Sequence, residues 1–181
     1  MLKTAAFLLC AFLAGLSLAG CSRQRSTQRD YNMGEKVLVG PLTYSINDAT
    51  WKSELGQGFQ VRTPNQRFLL VNLSVTNGGG QDASIPLLQL EGANGTTFQE
   101  LTNGDGVDQY LGILRNIAPA ETLQGRVLFD APLTSYRLRL VDGGDPAFPK
   151  YAWVQIPLNL NADAPLLNTV PGTATPGSES K

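Results

Sequence analysis

The chain has 181 residues, with 14 basic and 15 acidic side chains, two cysteines and no histidine. A balance this close to neutral leaves no basic footprint for nucleic acid, and none for electrostatic attraction to anionic lipid. The missing histidine removes Ser-His-Asp and Cys-His triads, histidine-ligated zinc, copper and non-haem iron, and the commonest general base. Neither catalytic residues nor a metal nor another cofactor is expected.

At the N-terminus, Lys3 precedes an apolar run over 5–18 that is too short for a permanent membrane span. The run closes on Leu18-Ala19-Gly20-Cys21. This is a lipobox, and the segment resembles the signal of bacterial lipoproteins. The resemblance implies cleavage between Gly20 and Cys21 and acylation of the Cys21 thiol with palmitate-type chains. Two or three chains, at about 0.8 kcal/mol per buried methylene, anchor a protein for long times. The expected location is extracytoplasmic, on the cell membrane or, with Ser22 next to the cysteine, on an outer membrane if the source has one.

Loss of residues 1–20 removes Lys3 and Cys10, leaving 13 basic against 15 acidic side chains. With Cys21 consumed by lipid no disulfide is left, so the exported domain must be held by its core. Residues 21–33, polar and carrying Arg23, Arg25 and Arg29, read as a lipidated flexible tether.

From 34 to 160 the period is two. Leu42, Tyr44 and Ile46 alternate with Thr43, Ser45 and Asn47, and Leu69, Val71, Leu73 and Val75 with Leu70, Asn72, Ser74 and Thr76. Val127 with Phe129, then Tyr136, Leu138 and Leu140, then Val154, Ile156 and Leu158 continue the series. Turns at Asn77-Gly78-Gly79-Gly80, Asn94-Gly95, Asn103-Gly104-Asp105-Gly106 and Asp142-Gly143-Gly144-Asp145 separate the runs. The pattern predicts an all-β fold, an immunoglobulin-like β-sandwich of seven to eight mostly antiparallel strands. Val107, Tyr110, Leu111 and Leu114 have the spacing of one short helix. Residues 161–181, with Pro165, Pro171 and Pro176 among Thr, Ser and Gly, predict a disordered tail.

Three blocks carry a resemblance: Pro41-Leu42-Thr43-Tyr44-Ser45-Ile46-Asn47-Asp48-Ala49-Thr50-Trp51; Pro64-Asn65-Gln66-Arg67-Phe68 running on through Asn77; and Pro119-Ala120-Glu121-Thr122 running on through Pro132. Together they resemble the telokin-like, immunoprotective-antigen-like domains, bacterial extracellular immunoglobulin-like sandwiches of unknown function that often follow a lipobox. Ala120 stands where that family usually carries the glycine of a Pro-Gly turn. The resemblance implies an envelope module and brings no catalytic residues.

The best candidate binding loop is Asn103, Asp105 and Asp108, three oxygen-bearing side chains in six residues. They are of the type calcium takes, but the spacing lacks the EF-hand's sixth glycine and twelfth glutamate. Other end loops, 81–85 and 94–96, are further candidates, because sandwiches keep recognition on their connections. Trp51, Trp153, Tyr44, Tyr136 and Tyr151 could build a sugar platform; Tyr44 and Tyr136 fall on apolar strand faces, so Trp51 and Trp153 are the surface candidates. The expected role is a monomeric, non-catalytic interaction module held to the membrane by its N-terminal lipid and binding an unknown envelope protein or polymer. A structural or stress-related lipoprotein without a ligand is the alternative.

Overall fold

The computed structural model describes residues 29–144, 147 and 149–159. The signal segment, Cys21 and residues 161–181 lie outside the described residues. Within them the period-two runs become two packed sheets. One holds β2 (Lys36–Val39), β3 (Leu42–Lys52), β4 (Phe68–Asn77) and β9 (Thr122–Asp130), in the order β2-β3-β4-β9. The other holds β1 (Asp30–Asn32), β6 (Gln89–Gly92), β7 (Thr97–Gln99), β10 (Tyr136–Val141) and β11 (Tyr151–Ile156), in the order β1-β11-β10-β6-β7. A two-strand ladder of β5 (Ala83–Ser84) and β8 (Asn116–Ile117) completes the set. All pairings are antiparallel except β1 with β11.

Leu42, Tyr44, Ile46, Leu69, Val71, Leu73, Val75, Val127 and Phe129 face Leu90, Leu138, Leu140, Val154 and Ile156 across the core, all essentially without exposure. The alternation does its expected work. A β-bulge between Ile46 and Asp48 shifts the phase of β3, so inward residues change from Leu42, Tyr44 and Ile46 to Ala49 and Trp51. Trp51 therefore lies in the core, with its ring centroid 6.2 Å from that of Tyr136, and is not the surface residue its place at a strand end suggested.

Three further expectations need correction. The described strands number eleven, more than the seven to eight expected, because three-residue β1 and β7 and two-residue β5 and β8 are too short to show a period. β1 falls inside the segment assigned to the tether: Asp30–Asn32 pairs with Trp153, Val154 and Gln155, and Tyr31 packs on the core. No helix forms around Val107, Tyr110, Leu111 and Leu114. That segment runs beside β9 instead, with Arg126 N–H donating to Gln109 O (2.8 Å) and Leu111 N–H to Arg126 O (3.0 Å), which takes the backbone away from helical partners. Gly125 makes the approach feasible, since a Cβ there would meet Gln109 O at 2.4 Å. The same segment covers Leu128, which with Leu55, Phe68 and Leu70 forms a second apolar cluster that packs Leu101 and Val107.

Between β8 and β9, Glu121 N–H donates to Ala118 O (3.1 Å), with Pro119 and Ala120 as the central residues of the turn. Ala120 has φ of 63°, the left-handed conformation that a turn with proline first and glycine second requires. Ala120→Gly is expected to raise stability by about 1 kcal/mol, since a non-glycine residue pays roughly 1–2 there. Denaturant unfolding of the two proteins checks it.

Candidate functional site

The strands define two ends. At one, β10 finishes at Val141 and β11 begins at Tyr151, next to the start of β1; at the other, β10 begins at Tyr136 and β11 finishes at Ile156. Tyr44 Oη donates to Val141 O (2.7 Å) at the first end, and Trp51 meets Tyr136 at the second, so β3 runs from the first to the second. The chain enters at the first end, hereafter the tether end, and leaves β11 at the far end.

The sequence-derived loop lies at the far end. Asn103 Oδ1 accepts the N–H of Asp105 (2.7 Å), and its carbonyl accepts from Arg62 Nη1 (2.8 Å). Asp108 stands almost fully in solvent, 4.0 Å from Arg126 Nη1. It lines a cleft of about 730 Å³ with Lys52, Glu54, Leu70 and Arg126, and neither Asn103 nor Asp105 is part of that lining. The three side chains are thus not brought to one point, and among the described residues no group of three acidic, histidine or cysteine side chains is placed to hold a metal. Asn103 shapes its own turn.

A second concavity, about 510 Å³, opens at the tether end. Its walls are Ile85, Pro86, Ile113, Leu114, Val141 and Pro149, with Arg115, Arg139 and Asp142 among them. Leu114 is 93% exposed and Ile113 51%, so the rim presents aliphatic side chains to solvent. Arg115 is fully buried and bonded to the equally buried Glu100, whose other oxygen accepts Leu88 N–H (2.9 Å). Its Nε donates to Gly112 O (2.6 Å), and its Nη1 is buried with no hydrogen-bond partner. Arg139 stacks on Tyr151, with 4.5 Å from its guanidinium carbon to the ring centroid, and its Nε is likewise buried without a partner. Buried donors left open in this way are rare in folded proteins. Asp142 Oδ1 accepts Gly144 N–H (3.2 Å). Burial pushes the Glu100 carboxyl above its ordinary range, against the opposing pull of Arg115 and of Leu88 N–H.

The five aromatics do not make one platform. Tyr44, Trp51 and Tyr136 are in the core. Trp153 and Tyr151 meet edge to face on the outer side of the five-stranded sheet, with centroids 6.0 Å apart. Arg137 lies over the Trp153 ring at 4.6 Å. That arginine also pairs with Glu91 (2.5 Å) and Asp30 (3.6 Å), tying β1 to the sheet.

The described residues thus form a two-sheet sandwich with an aliphatic pocket at the tether end and a polar cleft at the other. The chain belongs to the family described as domain of unknown function DUF4352, whose model matches residues 31–152. The telokin-like label does not come with that match. No curated protein matches the sequence. Among solved structures, the yjhA protein of Bacillus subtilis is similar with a TM-score of 0.55 at 12% identity, covering 70% of this chain and 98% of that one. A candidate lipoprotein of Bacillus subtilis, ycdA, gives 0.52 at 17% identity, over 68% of this chain and 38% of that longer one. A functionally unknown protein of Listeria monocytogenes gives 0.53 at 12%, over 72% and 85%. At such identities the likeness is one of fold.

Proposed function

We propose that the chain is a lipid-anchored lipoprotein of the bacterial cell envelope whose sandwich is a monomeric, non-catalytic binding module. The observation that carries this reading is Leu18-Ala19-Gly20-Cys21, placed eight residues before the first described residue, Arg29. A family of unknown function with no catalytic assignment, and a lipoprotein candidate among the structural neighbours, support it. Among the described residues no helix is long and apolar enough to cross a membrane. In this reading, acyl chains on Cys21 supply the attachment. The binding surfaces are the two end concavities, because the strands between them are committed to the core.

Cys21→Ser is the test, since serine has no thiol to accept diacylglycerol. Labelled palmitate is expected to enter the wild type and not the variant. Equal labelling, or none in the wild type, overturns the anchor.

A further inference from the structure

We propose that Asn103-Gly104 is a self-modifying pair, activated by Arg62, which in the folded protein closes to a cyclic imide and opens to aspartate or isoaspartate at position 103. The nitrogen of Gly104 attacks Asn103 Cγ, forming a five-membered ring of Gly104 N with Asn103 C, Cα, Cβ and Cγ. The Gly104 N–H proton goes to solvent, the Cγ–Nδ2 bond breaks, and Nδ2 leaves as ammonia after taking a proton from water. Water then adds to one of the two imide carbonyls. Opening at Cγ gives aspartate; opening at the main-chain carbonyl gives isoaspartate, with the chain rerouted through the side chain. The sum is one water in and one ammonia out, and neither lipid nor ligand takes part. The product adds a carboxylate to a loop that already carries Asp105 and Asp108.

The chain holds three Asn-Gly pairs, at 77–78, 94–95 and 103–104, so the dipeptide alone does not separate them. In each, the asparagine Oδ1 accepts the N–H two residues on, from Gly79 (2.9 Å), Thr96 (3.0 Å) and Asp105 (2.7 Å) respectively. This bond meets the negative charge that grows on Oδ1 during attack. The nucleophiles differ. Gly78 N–H donates to Pro41 O (2.8 Å) and Gly95 N–H to Gly92 O (2.9 Å), whereas Gly104 N–H donates to no group among the described residues. Asn77 is in addition buried, with Nδ2 donating to Gln81 O and Ile117 O, while Asn103 is exposed. The third pair also has a cation on the peptide that must ionise. Loss of the Gly104 proton leaves negative charge shared with Asn103 O, and that oxygen accepts from Arg62 Nη1 at 2.8 Å. A charge-assisted hydrogen bond of this kind favours the anion. Arg62 is itself held by two backbone bonds to Leu55 (2.9 and 2.8 Å) and by the Phe68 ring, 5.1 Å from its guanidinium carbon. Packing keeps the reactive glycine in place, since a Cβ at Gly104 would meet the Tyr110 ring at 2.1 Å.

The test ages the purified full-length protein near neutral pH in heavy-oxygen water and follows the three asparagine peptides by mass spectrometry. Oxygen taken from the solvent marks conversions that occur during ageing. A parallel sample is kept unfolded in urea. In the folded protein, conversion at Asn103 is expected to run about fivefold faster than at Asn94, whose turn hydrogen bond must open first, with none at Asn77. In urea the three rates are expected to converge. Arg62→Met is expected to slow conversion at Asn103 about tenfold in the folded protein and to leave the urea rate unchanged, and Arg62→Lys to restore part of the rate. Asn77, which converts only on unfolding, reports in the same sample that the variant is folded. Conversion at Asn94 as fast as at Asn103, or no conversion at Asn103 while the urea sample converts, overturns the site. A folded Arg62→Met protein that converts at the wild-type rate or faster overturns the role of Arg62.

Discussion

Val71→Asp is expected to leave the chain unfolded. Val71 has no exposure, sits in the middle of β4, and is flanked in register by Ala49 and Val127. A carboxylate there has no cation or donor to meet, and burying it costs several kcal/mol against a total stability of about 5–15 kcal/mol. Ser74→Asp, on the opposite face of the same strand and half-buried, is the control, expected to stay within about 1 kcal/mol of wild type. Far-UV circular dichroism separates the outcomes. A folded Val71→Asp protein would mean that the two sheets do not pack on β4 as described.

The second large effect belongs to the buried ion pair. Glu100→Ala is expected to destabilise by about 3–5 kcal/mol, because the Arg115 guanidinium and Leu88 N–H both lose their acceptor inside the protein. Glu100→Gln keeps an acceptor oxygen and is expected to lose less. The two variants also differ in their response to pH. The folded carboxyl is raised above its ordinary 4.5 by burial, so as pH rises past 4.5 the unfolded chain releases its proton first. Glu100's contribution is thus fully present below 4.5 and is lost as pH rises through the higher folded value. The stability of wild type minus that of Glu100→Gln should fall with rising pH across this window, read by urea unfolding at each pH. A difference that rises, or stays flat, contradicts the description of this pair.

The core strands were legible because a half-buried strand writes its inward face into every second residue: Leu69, Val71, Leu73 and Val75 are all without exposure. Trp51 was misread because one extra residue at Asn47 reverses the phase, and a bulge leaves no mark in an apolar pattern. Residues 107–114 imitate helical spacing for a different reason. Val107 packs on the outer cluster, Leu111 on the main core and Leu114 on neither, so the spacing records three separate environments and not one helix face.

The candidate site was less legible still. Asn103, Asp105 and Asp108 draw attention as a polar run, yet Asn103 caps a turn and Asp108 stands in solvent. The pocket with two open arginine donors gave no local signal. Glu100 and Arg115 are fifteen residues apart with no period between them, and charged residues are read by default as surface. The one trace was the aliphatic pair Ile113-Leu114 directly before Arg115, which no strand or helix absorbs.

The central claim, a sandwich held to the envelope by lipid on its first mature residue, is tested most directly by mass spectrometry of the N-terminal peptide of the protein purified from membranes. The account predicts a peptide that begins at Cys21 and carries a thioether-linked diacylglyceryl group. A peptide that begins elsewhere, or that carries a free Cys21 thiol, would contradict it.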